Sequence, residues 1–182
     1  MSFLLLRHGM TKGNAERRYI GSRTDEPLSP EGVAALRERD YPPVSAVLCS
    51  PMTRCLQTAA IAYPNLAPRI VPDFRECDFG AFEGLNYQEL NGRADYQAWI
   101  DSGGETPFPG GESRADFARR CAEAFALVRE ELRGDCAVIV HGGTIMAIME
   151  RFARPLGGYF NFQVPNGSGY WLRDDGSYER FL

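Results

Sequence analysis

The sequence contains only two histidines, and both stand at the same kind of place. His8 and His141 each lie at the end of an apolar run and directly before a glycine, and Arg7 precedes the first of them. Because ligands bind at the carboxyl ends of the strands in an open parallel sheet, we expect the two imidazoles to meet at one sheet edge. Arg54 falls in the first turn of a predicted helix, whose free N–H groups add partial positive charge. Guanidinium groups, imidazoles and a helix N-terminus match a doubly charged tetrahedral anion, so the chemistry indicated is that of phosphate.

Alternating strand and helix patterns supply the elements that must position these side chains. Continuous apolar runs predict buried strands, and a serine followed by proline predicts helix starts at Ser29-Pro30 and Ser50-Pro51. The predicted strands span residues 2–7, 44–49, 68–71 and 136–140, with a hairpin over 169–182. The predicted helices span about residues 29–40, 50–63, 113–132 and 145–152, with irregular segments at 73–84, 103–111 and 142–144. This order predicts an α/β fold in one domain over residues 1–182, a three-layer sandwich whose mostly parallel central sheet has helices on both faces.

Composition excludes several classes of function. The formal charge of −4, from 20 basic and 24 acidic residues, gives no basic field that would attract nucleic acid or an anionic membrane. The apolar run at residues 3–6 is too short for a secretory signal or a membrane span, so we expect a cytoplasmic protein. The five cysteines are odd in number and form no Cys-x-x-Cys pair, which predicts reduced, packed thiols and neither a disulfide framework nor a zinc site.

Two familiar phosphate chemistries do not match the spacing. A protein-tyrosine-phosphatase site needs a cysteine, five residues and an arginine, whereas only four residues separate Cys49 from Arg54. A metallophosphatase needs several histidine and aspartate ligands close together, and two distant histidines without a recognisable carboxylate motif do not provide them. We therefore expect no metal and no cofactor.

A series of short motifs resembles the histidine phosphatase (phosphoglycerate mutase-like) superfamily, in family order and over nearly the whole chain. The motifs are Arg7-His8-Gly9, Asn14, Gly21, Leu28-Ser29-Pro30-Glu31-Gly32, Ser50-Pro51-Met52-Thr53-Arg54, Glu76 and His141-Gly142. The resemblance implies a metal-independent phosphomonoesterase in which His8 is the nucleophile that becomes phosphorylated.

The same resemblance implies roles for the other motif residues. Arg7, Asn14, Arg54 and His141 would hold the phosphoryl group, with Gly21 and Gly142 beside them at the substrate, and Glu76 would be the proton donor. A carboxylic acid can serve as that donor only if burial or nearby negative charge raises its pKa. On composition alone Glu83, Asp73 and Asp78 are also candidates for the donor.

Within the superfamily the chain resembles the phosphatases more than the mutases. Cys77 follows the acidic residue where mutases carry an arginine, and residues 91–112 contain only Arg93 as a basic residue. The segment 76–84 and the Pro-Gly-Gly-Glu-Ser run at 109–113 resemble the α-ribazole phosphatase branch, whose substrate is a nucleotide-like phosphate. Several aromatic residues could line a wall for a flat heterocycle or only pack a cap: Phe79, Phe82, Tyr87, Tyr96, Trp99 and Phe108.

The expected partner is a small phosphorylated metabolite. Two other functions stay open, a phosphoglycerate mutase and a non-catalytic phosphate-binding regulatory module of the same fold. A free sheet edge beside the C-terminal hairpin hints at a homodimer.

Overall fold

The central strand β1 (Ser2–Arg7) shows why the molecule is layered. In the computed structural model, which describes residues 1–181, its apolar run is completely buried. Alternate side chains of a strand point to opposite faces, so Phe3 and Leu5 join one apolar cluster and Leu4 and Leu6 join another. Each face therefore needs its own cover of helices.

The elements follow the predicted order, with additions. The further strands are β2 (Ala46–Cys49), β3 (Arg69–Ile70), β4 (Cys136–Val140), β5 (Gly169–Arg173) and β6 (Tyr178–Phe181). The helices are α1 (Lys12–Ala15), α2 (Pro30–Arg37), α3 (Thr53–Ala62), α4 (Tyr87–Leu90), α5 (Ala94–Asp101), α6 (Arg114–Glu131) and α7 (Gly142–Phe152). Leu182, the last residue of the predicted hairpin, lies outside the described residues.

The sheet order is β3-β2-β4-β1-β5-β6. β3, β2, β4 and β1 run parallel, whereas β5 and β6 are antiparallel to their neighbours. Helices α6 and α7 cover one face, and α3 covers the other. The predicted α/β sandwich with a mostly parallel sheet is confirmed, and the register of β1 beside β4 pairs Arg7 with Val140, which brings the two strand ends together.

Several predicted boundaries were wrong. Helix α2 ends at Arg37 rather than near residue 40, because Glu38 already occupies the C-cap. Helix α3 begins at Thr53, not after a Ser50 cap, since the Ser50 hydroxyl bonds a histidine ring instead. The glycine-rich turn predicted at 142–144 is the first turn of α7, whose N-cap is His141.

A second layer covers the carboxyl edge of the sheet. Short helices α1, α4 and α5 were not predicted, and α4 and α5 belong to this cap. Its core is an aromatic cluster around the fully buried Phe82, with Tyr19, Trp99 and Phe108 packed at centroid distances of 5.8–6.1 Å from it. None of the helices in residues 1–181 is long and apolar enough to cross a membrane. All five cysteines are buried and free.

Candidate active site

His8 lies directly beyond β1, and its ring is held in one orientation. Only 3% of the residue is exposed, and Nδ1 lies 2.7 Å from the Gly9 carbonyl oxygen. A carbonyl only accepts, so Nδ1 carries the ring proton and Nε2 keeps its lone pair. The Gly9 N–H in turn donates to the Thr58 hydroxyl, which donates to the Arg54 carbonyl. A buried imidazole with an unprotonated Nε2 is the arrangement that a nitrogen nucleophile requires.

Arg54, in the first turn of α3, is completely buried. Its guanidinium donates from Nη1 to the Thr24 carbonyl at 2.8 Å and from Nη2 to the Gly21 carbonyl at 3.1 Å. Nε donates to Nδ1 of His141 at 3.3 Å. A guanidinium has five N–H groups, so two remain for an anion.

His141 is likewise fully buried, at the end of β4. Because the Arg54 Nε–H can only donate, Nδ1 of His141 is the acceptor and the ring proton lies on Nε2. Nε2 donates to the Ser50 hydroxyl oxygen at 2.8 Å. The two histidine rings meet edge to face with centroids 5.2 Å apart. Both ring nitrogens of His141 are thus engaged, so in this arrangement the ring orients Arg54.

Arg7 brings a second guanidinium to the same edge. Nη1 donates to the Val164 carbonyl at 2.7 Å, whereas Nε is buried without a partner among the described residues. Gly142 lies against this side chain, since a Cβ there would be 3.4 Å from the Arg7 guanidinium carbon. An unsatisfied buried N–H costs about 1–3 kcal/mol, which an anion accepting from it would recover.

Glu76 reaches the site from the irregular segment after β3. One carboxylate oxygen accepts from the Cys77 N–H at 3.0 Å, and the other accepts from the Gly143 N–H at 3.2 Å. A Cβ at Gly143 would lie 2.4 Å from Glu76 Oε1, so the helix start needs a glycine to admit the carboxylate. Burial raises the pKa of this carboxyl, and the two backbone bonds and the Arg54 and Arg7 charges only partly offset that rise.

Glu83 supports the loop that faces Arg54. Its Oε1 accepts from the backbone N–H groups of Gly21, Arg23 and Thr24, at 3.1, 2.8 and 3.0 Å. Two carbonyls of the same loop accept from Arg54. Gly21 also needs its missing side chain, because a Cβ there would lie 2.1 Å from the Cys77 carbonyl oxygen. Glu83 is therefore committed to the backbone, and the structure gives it a supporting place rather than one beside His8.

Asn14 is held through its oxygen in helix α1. Oδ1 accepts from the Thr11 N–H at 3.3 Å and from Nδ2 of Asn166 at 3.0 Å. Backbone N–H groups only donate, which fixes the amide orientation and leaves both N–H bonds of Asn14 Nδ2 for another acceptor. No hydrogen bond within residues 1–181 uses that Nδ2.

The structure thus brings together His8, Arg7, Arg54, His141 and Glu76, and places the predicted glycines and Asn14 around them. Sequence reasoning missed four polar residues of the site, Ser50, Thr58, Glu83 as a support, and Asn166. Ser50 was interpreted as a helix cap, and Thr58 and Asn166 carry no charge or periodic signal. Of the other donor candidates, Asp78 pairs with Arg23 and Asp73 pairs with Arg75.

A cavity of about 620 Å³ opens beside Glu76 and Gly143. Its aromatic lining is Tyr19, Phe79, Trp99, Phe108, Phe117, Tyr159 and Phe160. Among residues 1–181, Arg114 is the one cation in that lining, and Glu105 pairs with it while its guanidinium lies over the Tyr159 ring. Of the predicted aromatic wall, Phe82 is buried in the cap, Tyr87 is exposed and Tyr96 stacks on Trp99 instead of lining the cavity. Four lining aromatics were missed: Tyr19, Phe117, Tyr159 and Phe160.

Comparison with known proteins places this geometry in context. The family model described as histidine phosphatase superfamily (branch 1) matches residues 3–182. A bifunctional protein of Mycobacterium tuberculosis is 34% identical over 163 residues, which are 85% of this chain and 44% of that protein. The chain therefore spans less than half of that relative. An acid phosphatase of the same organism is 30% identical over 177 residues, 91% of this chain and 82% of that protein.

Solved structures share the fold over their full length. A phosphoglycerate mutase of Thermus thermophilus aligns with a TM-score of 0.77 and 30% identity, covering 100% of this chain and 99% of that chain. The α-ribazole phosphatase of Shigella flexneri aligns with a TM-score of 0.85 and 22% identity, covering 100% and 95%. At 22% identity the second likeness shows the fold alone.

The buried histidines predict a pH-dependent stability. Burial, followed by the Arg54 charge, lowers the pKa of both His8 and His141 well below the usual value of about 6.5. Below pH 6.5 the unfolded chain binds protons that the folded protein does not, so this stability is present above pH 6.5 and is lost as the pH falls. Between pH 7.5 and 5.5 the expected loss in the free energy of unfolding is roughly 1 kcal/mol per histidine.

Urea unfolding at the two pH values measures this loss. Glu76, whose pKa is raised, titrates in the opposite sense, so the comparison is between the wild type and His8→Asn, which both retain it. Between the two pH values, the variant should lose roughly 1 kcal/mol less free energy of unfolding than the wild type, which is the contribution of one histidine. Equal pH dependence in the two proteins would contradict the assignment of a neutral buried His8.

Proposed function

The chain belongs to the histidine phosphatase superfamily (branch 1), and from that premise we propose that it is a metal-independent phosphomonoesterase acting through a phosphohistidine at His8. The observation that carries the proposal is the His8 ring, buried beside two arginines with Nδ1 bound to the Gly9 carbonyl and Nε2 free to attack phosphorus. The acid phosphatase relative supports hydrolysis of phosphate esters.

In the proposed first step, Nε2 of His8 attacks the phosphorus of the monoester. The P–N bond forms as the bond to the ester oxygen breaks, and that oxygen leaves as an alcohol with a proton from Glu76. Arg7, Arg54 and Asn14 would neutralise and orient the equatorial oxygens, which is where phosphoryl transfer needs most help. His141 would hold the phosphoryl group through Arg54, whose Nε–H donates to its ring.

In the second step, water replaces the histidine. Glu76, now a carboxylate, takes a proton from the attacking water, the P–N bond breaks and inorganic phosphate forms. The raised pKa of Glu76 suits both steps, because the group must give a proton and then take one at nearly neutral pH. The neutral state of His8 at that pH leaves the lone pair available again.

The cavity beside Glu76 lies where the leaving alcohol must sit. Its walls are mostly aromatic, and its one cation, Arg114, is already paired with Glu105, so a second acidic group on the substrate gains no unpaired cation from that wall in residues 1–181. The Trp99 ring lines the same cavity, and its indole N–H is buried without a partner among residues 1–181. A flat, nearly neutral leaving group fits these features, and α-ribazole 5′-phosphate is the proposed substrate of this kind.

A phosphoglycerate mutase is the second candidate, favoured by the 30% identity to the Thermus thermophilus protein. Phosphoglycerate carries a carboxylate beside its phosphate. Because Arg114 is paired and Arg93 is bound to Asp95, neither offers an unpaired cation to that carboxylate. A non-catalytic phosphate-binding module remains the third interpretation, and a catalytic assay separates it from both.

The nucleophile is tested with His8→Ala. The variant should lose about a thousandfold or more in kcat because no other group described in the site replaces the attacking nitrogen. When the wild type turns over p-nitrophenyl phosphate that is radiolabelled in its phosphate, a rapid quench without acid should trap an acid-labile phosphoenzyme. EDTA should not change the turnover of the wild type. A fully active His8→Ala enzyme, or a wild type inactivated by EDTA, would overturn the proposal.

The proton donor is tested by leaving-group dependence. Glu76→Gln should lower kcat by about a hundredfold or more for an alkyl phosphate but far less for p-nitrophenyl phosphate, whose phenolate leaves without a proton. Glu83→Gln is the matched control: its amide oxygen still accepts the three loop N–H groups, so no leaving-group dependence is expected. The reverse pattern would move the donor role from Glu76 to Glu83.

The substrate class is tested with a panel of α-ribazole 5′-phosphate, phosphoserine and 3-phosphoglycerate. The cavity predicts a kcat/KM about fivefold higher for the heterocyclic substrate, since a stacked ring is worth on the order of 1 kcal/mol. Trp99→Phe should reduce that preference while leaving p-nitrophenyl phosphate turnover nearly unchanged. Isomerisation of phosphoglycerate that depends on 2,3-bisphosphoglycerate would favour the mutase instead.

A further inference from the structure

The five residues 164–168, here called the C-terminal clamp, enclose the backbone that carries the nucleophile. The Val164 carbonyl accepts from Arg7 Nη1, and the Ser168 carbonyl accepts from the Arg7 N–H at 2.9 Å. The Gly167 N–H donates to the Arg7 and His8 carbonyls at 3.0 and 3.2 Å. The cited clamp contacts join residues 157 and 158 positions apart along the chain, so they exist only in the folded protein.

Asn166 contributes the one side-chain contact of the clamp to this loop. Its Nδ2 lies 3.1 Å from the His8 carbonyl oxygen, 3.0 Å from Oδ1 of Asn14 and 3.4 Å from the Gly9 carbonyl oxygen. An amide nitrogen has two N–H bonds, so the two shorter contacts are the full hydrogen bonds and the third is a weaker shared one.

The orientation of both amides follows from the backbone groups around them. Two carbonyls face Asn166, and because carbonyls only accept, the nitrogen of that side chain must point at them. Because Nδ2 of Asn166 and the Thr11 N–H both donate to the Asn14 side chain, the atom that faces them must be the acceptor Oδ1. The Asn14 oxygen is therefore occupied twice, which turns the Asn14 nitrogen away from the clamp as a double donor.

We propose that Asn166 is a positioning residue that couples the nucleophile to the phosphate-binding amide. By holding the His8 carbonyl and sharing the Gly9 carbonyl, it keeps in place the acceptor that binds Nδ1 of His8. By occupying Oδ1 of Asn14, it presents that side chain to the phosphoryl group as a donor. The Asn166 amide thus determines that the lone pair of His8 lies on Nε2. It also determines that Asn14 faces the phosphoryl group with its N–H groups.

The role of His8 as the nucleophile rests on the proposed function, whereas the coupling of His8 to Asn14 through Asn166 rests on the hydrogen bonds alone. Asn166→Asp keeps the shape and replaces the donor with an acceptor that faces three other acceptors. Asn166→Ala removes the donor without adding repulsion. We expect losses in kcat/KM for p-nitrophenyl phosphate of roughly tenfold to a hundredfold for the alanine variant and more for the aspartate variant.

A double-mutant cycle separates coupling from general weakening. Asn14→Ala and Asn166→Ala are combined, and the inhibition constant of inorganic phosphate is measured for all four proteins. If Asn166 acts through Asn14, the inhibition constant of phosphate for the double variant should equal that of whichever single variant binds phosphate less tightly. Losses that simply multiply would overturn the coupling.

The ring proton of His8 gives a second readout, which a merely structural role would not change. Long-range proton–nitrogen spectra of the histidine rings should show the Nδ1–H form of His8 in the wild type and a mixture of the two tautomers in Asn166→Asp. Asn65→Ala is the matched control, an exposed asparagine in the turn after α3 and outside the site, and it should match the wild type in every assay. An unchanged His8 tautomer in Asn166→Asp would overturn this part of the inference.

The two failures are distinguishable. If the wild type has no phosphatase activity, the proposed function fails, and phosphate binding together with the histidine spectra still tests Asn166. If the wild type is active and Asn166→Ala matches it in kcat/KM and phosphate inhibition, the inference alone fails. Urea unfolding of each variant confirms that the measured losses come from folded protein.

Discussion

The complete burial of the Arg54 guanidinium is the constraint on which the site depends. A buried cation without partners would cost several kcal/mol, so the surrounding chain must supply acceptors. Two backbone carbonyls of the 21–24 loop and one ring nitrogen of His141 do so. Because the loop must present its carbonyls to Arg54, its N–H groups point away from Arg54 and donate to Glu83. Because Nδ1 of His141 must accept from Arg54, the ring proton lies on Nε2 and is donated in a hydrogen bond to Ser50. One charge thereby dictates the orientation of groups on four separate segments.

The same constraint explains what could be predicted from the sequence. The strands, the two long helices and the convergence of His8 and His141 follow from apolar periodicity and from the parallel sheet, which are local signals. The supports of the site are not local: Asn166 meets His8 from 158 residues away, and Ser50 meets His141 from 91 residues away. A serine before proline carries the same local signal whether its hydroxyl caps a helix or binds a ring, and only the tertiary contact decides between them.

Two glycines of this site are required because a side chain would not fit there. At Gly143 and Gly21 the backbone angles are ordinary, and the constraint is space, since a Cβ would collide with Glu76 at the first and with the Cys77 carbonyl at the second. The predicted turn at 142–144 was wrong for this reason: the glycines do not break the helix, and Gly143 lets the Glu76 carboxylate approach its N–H in the first turn. The helix start therefore binds the side chain that is proposed to move the proton.

The two halves of the site are built differently, and this separates chemistry from specificity. The proposed phosphate end is held by the sheet, by the guanidinium groups of Arg7 and Arg54 and by backbone bonds, so little can change there without leaving a charge or a donor unpaired. The proposed leaving-group end is an aromatic cavity formed by the cap and by Tyr159, Phe160 and Gln163, and in it Trp99 and Phe108 stack with their ring centroids 4.8 Å apart. Replacing one ring by another in such a wall alters shape without creating an unpaired charge. A chain of this fold can therefore accept a substrate with a different leaving alcohol while it keeps the same phosphoryl chemistry. For this reason the shared fold supports the proposed reaction more firmly than it supports any one substrate.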